Sequence, residues 1–288
     1  MSVVPREPAT SSPPAAEAPP ARGPRGRRLL RRLPLLVLPL AVLLAWQLAD
    51  LVANPRDWLL PSPAEIAQTL WSDRDRLWFH AQATLGTTLT GLALAVAAGV
   101  VIAAVIASSR WAELALYPWV VASQTIPLLA IAPLLVIWLD PQPAAVLLTA
   151  LVAFFPVVVS GIDGLRGADP LLARTTRTMG ASRLWVWWHV LWPAALPRLF
   201  TGIRMAAVFA VTGAVVGEYV GADRGLGAFS KITTAQFETA ETFAAVAWLA
   251  AIGIALFVAV AAVERLVLPY RHRPARRRSP LSRTRRTP

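Results

Sequence analysis

The 288-residue chain contains no cysteine, which excludes a disulfide framework, a cysteine-ligated metal site and a thiol nucleophile. Its three histidines, His80, His189 and His272, lie far apart and are not accompanied by an HExxH pair or a close cluster of carboxylates. Metal chemistry is therefore not expected. Charged residues are also scarce, at 15% of the chain, whereas soluble domains carry about 25%. An ordinary soluble fold is not expected either.

Apolar residues, in contrast, make up 56% of the chain. They concentrate in six charge-poor stretches, at about residues 33–52, 82–107, 113–139, 144–164, 200–220 and 243–266. Each stretch is close to the roughly 20 residues that a helix needs to cross a bilayer. The pattern predicts an all-α polytopic membrane protein with six transmembrane helices in a domain of residues 33–266. Basic tails of residues 1–32 and 267–288 flank this domain and are expected to be disordered.

The net charge of +12 is distributed unevenly along these segments. If the six stretches cross the membrane alternately, 23 of the 28 Lys and Arg residues fall on one side and five on the other. Positive residues near helix ends stay in the cytoplasm, so both termini are predicted to be cytoplasmic, in the cell membrane of a prokaryote. The arginines of the tails are interrupted by prolines and lack interleaved aromatics. We interpret them as solvated tails attracted to anionic lipid, not as a nucleic-acid site.

The cytoplasmic loop at residues 165–199 contains strong helix boundaries. Asp169 followed by Pro170 is a typical helix start, and Gly180 is a typical residue just past a helix end. These signals predict a short helix over 170–179, about 15 Å long, whose end is exposed to the cytoplasm. The alternative is an ordinary connecting hairpin.

A second helix is predicted to follow in the same loop. Ser182 is its expected N-cap, and Pro193 is expected to end it. Trp185, Trp188 and Trp192 recur at helical spacing on this segment. Because tryptophan is favoured at membrane interfaces, this face is predicted to lie there.

The spacing in this loop resembles the cytoplasmic signature of the membrane subunits of binding-protein-dependent ABC importers, E-A-A-x3-G-x9-I-x-L-P. The corresponding residues are Arg174, Thr175 and Thr176 for E-A-A, Gly180 for the glycine, and Val190, Trp192 and Pro193 for I, L and P. The glycine and the proline fit, whereas the E-A-A triplet does not.

Other segments resemble one branch of that family, the permeases for nitrate, alkanesulfonate, taurine and related small solutes. These segments are residues 59–71, 84–100, 124–139, 154–165 and 215–229. The resemblance implies the type I ABC importer transmembrane fold and the import of such a solute. An importer of the same architecture for a vitamin precursor or an amino acid is the alternative.

The resemblance also implies the partners. Two cytoplasmic ATPase subunits would bind ATP and Mg, a separate binding protein would deliver the solute, and a second permease copy would complete a homodimer. The chain itself lacks a GxxxxGK[ST] motif, so it is expected to bind no cofactor of its own. By analogy, residues 170–180 form the coupling helix that contacts the ATPase.

Polar residues within the spans are candidates for the solute path, because such groups usually face the interior of a membrane bundle. Glu218 interrupts the fifth span and is the main candidate. A structural alternative for Glu218 is a carboxylate at the outer end that pairs with backbone amides or an arginine. Weaker candidates, which could equally be helix-packing hydrogen bonds, are Gln124, Thr125, Ser160 and Thr212.

An intramembrane enzyme is the remaining alternative. An aspartyl protease needs two facing intramembrane aspartates, but Asp50 and Asp163 lie at opposite membrane ends in the predicted topology. A rhomboid-type serine protease needs a histidine in mid-span, and none is present. The sequence therefore favours a transport subunit over an enzyme.

Overall fold

The computed structural model describes residues 33–53 and 60–269, and this part of the chain is all-helical. The helices are α1 (Leu33–Ala53), α2 (Pro63–Ser72), α3 (Arg74–Ser108), α4 (Arg110–Ala122), α5 (Leu128–Leu139), α6 (Pro141–Arg166), α7 (Pro170–Thr178), α8 (Arg183–Val186), α9 (Trp192–Gly221), α10 (Leu226–Ala235) and α11 (Thr239–Val267). The predicted all-α class is confirmed. The basic tails lie outside the described residues, and α1 belongs to a unit of its own.

Four of the described helices are long and apolar enough to cross a membrane. They are α3, α6, the continuous segment Arg183–Gly221 and α11. The apolar helices Val37–Val52, within α1, and Leu128–Leu139 are shorter than a full span. Four of the six predicted spans are therefore supported by helix length, and the number six stays a prediction.

The third predicted span, 113–139, is wrong as a single helix. The chain forms α4, leaves the helix at Ser123–Pro127, and continues as α5. Pro127 explains the break, because its ring disfavours a helical conformation of the preceding residue and it has no N–H to donate to an earlier turn. Its own φ of −65° and ψ of 112° make it the N-cap of α5.

The helices α6 and α9 pack unusually closely and antiparallel. Contacting pairs are Ala145 with Gly217, Thr149 with Gly213, Ser160 with Gly202, and Ala195 with Gly164. At Gly217 an added Cβ would lie only 2.5 Å from the Cα of Ala145. Gly213 and Gly217 form a GxxxG motif, whose lack of side chains lets two helix backbones approach within the membrane.

Helix α3 packs parallel to α6 in a similar manner. Gly91 faces Thr149, Gly99 faces Val157, and Ala103 faces Gly161. Helices α3 and α6 run in one direction and α9 in the other, and these directions determine which loops and helix ends lie at each end of the bundle. We call the end that carries α7 the loop end, and the opposite end, which carries α10 and the start of α3, the α10 end.

The loop end is held together by charged contacts between helices. Arg166 of α6 lies 2.7 Å from Glu113 of α4, and Arg204 of α9 lies 3.4 Å from the buried Glu264 of α11. At the α10 end, Arg76 of α3 pairs with Glu241 of α11 at 3.2 Å. These three ion pairs link the ends of the helices. Contacts between small residues hold the same bundle together along its length.

Candidate functional site

The short helix predicted in the long loop is present as α7 and has defined caps at both ends. The Oδ1 atom of Asp169 accepts a hydrogen bond of 2.8 Å from the N–H of Leu171, and Pro170 is the first helical residue. At the other end Gly180 adopts a φ of +91°. The N–H of Ala181 donates to the carbonyl of Thr176, and that of Gly180 to the carbonyl of Arg177. This pair of bonds is a Schellman motif, which confirms the predicted helix stop.

The second helix of the loop begins where predicted, but Pro193 does not end it. Ser182 Oγ accepts a hydrogen bond of 3.2 Å from the N–H of Trp185. The helix then passes through a π-helical turn, Trp187–Leu191, directly into α9. Proline is tolerated here because the wider π turn rearranges the hydrogen bonds in which the missing N–H would take part. Trp185 and Trp188 are exposed, whereas Trp192 packs partly against the core.

The base of this loop is clamped. A Cβ added to Gly164, near the end of α6, would lie 2.8 Å from the carbonyl oxygen of Ala195 in α9. Arg198 of α9 also donates a hydrogen bond to the carbonyl of Asp163. The two helices that carry the loop are thus held against each other immediately below it.

The residues that match the coupling signature are placed in two environments. Arg174, Thr175 and Gly180 are exposed on α7 and its stop, and Thr176 is half-buried with its hydroxyl donating to the carbonyl of Leu172. The remaining matches, Val190, Trp192 and Pro193, are half-buried in the helical segment that leads into α9. A hollow of about 430 Å³ lies beside α7 and is lined by Thr176, Met179, Gly180, Ala181, Ser182 and Trp185.

The candidates for the solute path do not come together within one chain. Gln124 and Thr125 are exposed in the break between α4 and α5, and Ser160 contacts Gly202 between α6 and α9. Thr212 lines an otherwise apolar groove of about 590 Å³ between α9 and α11. Glu218 instead contacts Thr84 of α3 and Gly227 of α10. Their role in transport stays a prediction.

Glu218 is buried, with 1% of its surface exposed, and its contacts match the structural alternative. Its Oε2 atom accepts hydrogen bonds from Thr84 Oγ1 at 2.8 Å and from the N–H of Gly227 at 3.0 Å. Thr84 Oγ1 in turn accepts from the N–H of Leu226 at 2.8 Å. The N–H of Gly225 donates to His80 Nδ1 at 3.2 Å. Side chains from α3 and α9 therefore satisfy three backbone N–H groups at the start of α10, where a negative charge is favoured by the helix dipole.

This network explains the glycines that follow Glu218. Gly225 has a φ of +123°, and a Cβ added there would collide with the Glu218 carboxylate. At Gly227 an added Cβ would lie 2.6 Å from the carbonyl oxygen of Val215. The sequence does not predict His80 and Thr84 as partners, because they are more than 130 residues from Glu218 and α10 along the chain. The sequence does contain one indication of a helix start near Glu218, the glycine-rich segment GADRGLG at residues 221–227.

The four long apolar helices are those of a membrane-embedded protein, and comparison with known proteins identifies its family. Residues 95–270 match the family described as "Binding-protein-dependent transport system inner membrane component". The chain belongs to this family of ABC importer permeases. It is a multi-pass membrane transport component and not an enzyme.

Individual relatives cover most of both chains. The formylaminopyrimidine transport permease protein ThiX of Halalkalibacterium halodurans is 36% identical over 81% of this chain and 93% of its own. The riboflavin transport system permease protein RibX of Chloroflexus aurantiacus is 37% identical over 85% and 94%. The putative aliphatic sulfonates transport permease protein SsuC of Bacillus subtilis is 30% identical over 92% and 97%.

The fold is also found in a solved transporter. An inward-facing structure of the MetNI methionine ABC transporter matches with a TM-score of 0.57 and 20% identity, over 67% of this chain and 98% of that one. The similarity of fold agrees with the family assignment made from sequence.

Proposed function

We propose that this chain is the membrane-spanning subunit of an ATP-driven importer for a small solute delivered by a separate solute-binding protein. In the assembly, two permease copies form the path and two ATPase subunits contact the α7 loops from the cytoplasm. ATP and Mg are bound by those ATPase subunits. The observation that carries the proposal is α7, a short exposed helix with a sharp stop, held on a clamped base.

The clamped base supports a coupling role by a simple mechanical argument. A push on α7 reaches α6 and α9 together, because Gly164, Ala195 and Arg198 hold these helices against each other. The close packing of α6 with α9 favours motion of the bundle as one body. A rigid-body displacement of packed helices is a common way in which such switching is transmitted.

Gly180→Trp tests the coupling assignment. A residue with a side chain is strained at a φ of +91°, so the Schellman stop opens and α7 loses its orientation. We expect the variant to assemble but to lose most of its ATP-dependent uptake, while ATP hydrolysis by the complex continues. Uptake and hydrolysis are measured on the same proteoliposomes.

Two variants control for this experiment. Gly180→Asn retains most of the uptake, because asparagine tolerates the left-handed conformation. Gly86→Trp also retains it, since Gly86 too has no atom within 4 Å of an added Cβ but has ordinary helical geometry. Unchanged uptake and assembly in Gly180→Trp would show that α7 is not the coupling element.

For the cargo, we propose a small heterocyclic vitamin or vitamin precursor. Identity is 36–37% to permeases named for formylaminopyrimidine and riboflavin and 30% or less to those named for sulfonates, taurine and nitrate. Sulfonate, taurine or nitrate is the second candidate, supported by the segments quoted from the sequence. Competition for uptake among riboflavin, formylaminopyrimidine, taurine and nitrate distinguishes them, and inhibition by taurine or nitrate alone would overturn the first.

A further inference from the structure

Three arginines of the α7–α8 hairpin are exposed without a carboxylate partner among the described residues. These are Arg174, Arg177 and Arg183. Elsewhere at the loop end, Arg166 and Arg204 each pair with a glutamate. Asp169, the one carboxylate in the hairpin segment 169–183, accepts the N–H of Leu171 at the start of α7. The hairpin therefore presents a positive charge that the described part of the chain does not neutralise.

The arginines lie beside exposed apolar side chains. Arg174 and Arg177 are three residues apart and share one face of α7. Leu171, three residues before Arg174, is 71% exposed, and Met179, which follows the end of α7, is 82% exposed. Arginine and methionine are enriched at protein interfaces. This composition is typical of a surface that a protein partner covers.

The surface beside the arginines offers room for a protein partner. A shallow, open hollow of about 430 Å³ lies between Thr176 and Trp185, and a side chain of such a partner can pack against it. The planar fork of each guanidinium group binds a carboxylate or a phosphate through two parallel hydrogen bonds, and the position of these arginines in the predicted coupling helix favours the carboxylates of a protein partner.

The positive charge of Arg174 indicates the charge of the partner surface. Arg174 stands at the position of the glutamate in the E-A-A signature, so a cation replaces an anion there. A basic partner surface would place like charges opposite each other, which weakens association, whereas an acidic surface is complementary. The positive charge of this hairpin therefore favours an acidic partner surface.

Building on the proposed function, we propose that the ATPase surface receiving α7 carries carboxylates opposite Arg174 and Arg177. This pairing determines which ATPase the permease accepts. An ATPase whose corresponding surface is basic is repelled by the two arginines.

The test uses the full-length permease in phosphatidylcholine nanodiscs and the ATPase subunit of its own transporter. The double variant Arg174→Glu/Arg177→Glu is expected to bind this ATPase about 10-fold more weakly or worse. Wild-type binding is expected to weaken as salt rises, since salt screens exposed charges. The matched control is Arg265→Glu, which reverses an exposed arginine at the loop end away from α7.

A photo-crosslinking residue at the exposed Thr178 identifies the ATPase segment that α7 contacts. Replacing an acidic residue in that segment with arginine is expected to restore binding of the double variant and to weaken binding of the wild-type permease. Such a reciprocal exchange distinguishes direct pairing from a general loss of folding.

The outcomes separate the two proposals. If the wild type binds the ATPase and the double variant binds equally well, the acidic surface is refuted and the importer assignment stands. If the effect of the arginines appears only in nanodiscs with anionic phosphatidylglycerol, lipid is their partner and the acidic surface is again refuted. If the wild-type permease neither binds nor stimulates the ATPase, the proposed function itself is wrong.

Discussion

At the scale of single residues, Glu218 shows how a buried carboxyl group can serve structure. The carboxylate lies at the start of α10, where Thr84 and the N–H of Gly227 donate hydrogen bonds to one of its oxygens. The other oxygen, Oε1, has no hydrogen-bond partner within the described part of the chain. A polar residue within a membrane span indicates a specific hydrogen-bond partner. The partners of Glu218 include an N–H group at the N-terminus of α10.

The contribution of this network can be measured with two threonines on the same helix. Thr84→Val removes one of the two hydrogen bonds to the carboxylate and leaves the N–H of Leu226 unpaired, so the free energy of unfolding should fall by about 2 kcal/mol. Thr88 is equally buried, but its hydroxyl has no hydrogen-bond partner in the described structure. Thr88→Val should change that energy by less than about 0.5 kcal/mol. Reversible unfolding in mixed micelles measures both, and equal losses would contradict the assigned role of Thr84.

At the scale of helices, small residues decide which elements meet. Gly213 and Gly217 let α9 approach α6 so closely that a methyl group at Gly217 would lie 2.5 Å from a Cα atom of α6. Lipid tails are as apolar as leucine, so close van der Waals packing replaces the hydrophobic effect as the attraction between these helices. The same helices carry the base of the α7 loop.

Gly217→Ala should force α6 and α9 apart and lower the free energy of unfolding by about 1–3 kcal/mol. Gly253→Ala is the matched control in α11, because an added Cβ there lies 3.9 Å from Val211, an ordinary contact. That variant should be neutral or slightly stabilising, as alanine favours helices over glycine by about 1 kcal/mol. Thermal unfolding in one detergent compares the two, and equal stability of the variants would argue against close packing at Gly217.

At the scale of the whole molecule, most arginines of the described residues 33–53 and 60–269 lie at one end of the bundle. Arg166, Arg198 and the α7–α8 hairpin are all at the loop end, whereas Arg76 and Lys231 are at the α10 end. The orientation predicted from the positive-inside rule places the loop end in the cytoplasm. The proposed ATPase contact requires the same orientation.

Because the chain has no cysteine, single-cysteine variants report this orientation cleanly. Thr175→Cys at the loop end should react with a membrane-impermeant maleimide only after the cells are opened. Gln236→Cys, exposed at the α10 end, should react on intact cells. Labelling of the two sites in the reverse order would overturn the predicted orientation and, with it, the docking of an ATPase on α7.

The sequence alone determined the features that depend on neighbouring residues. Runs of apolar residues indicated the long helices, and Asp169, Pro170 and Gly180 marked the ends of α7, because a cap acts within one helical turn. The spacing of Gly180 and Pro193 also led to the family. The break at Pro127 and the passage of the helix through Pro193 were missed, since proline signals both helix starts and helix ends.

Only the tertiary structure decided which distant residues meet. It placed Thr84 and His80 at the start of α10 beside Glu218, set Gly217 against Ala145, and tied Arg198 to the carbonyl of Asp163. It also left Arg174 and Arg177 exposed while Arg166 and Arg204 found partners. These contacts depend on how whole helices pack, and the spacing of residues along one segment does not contain that information.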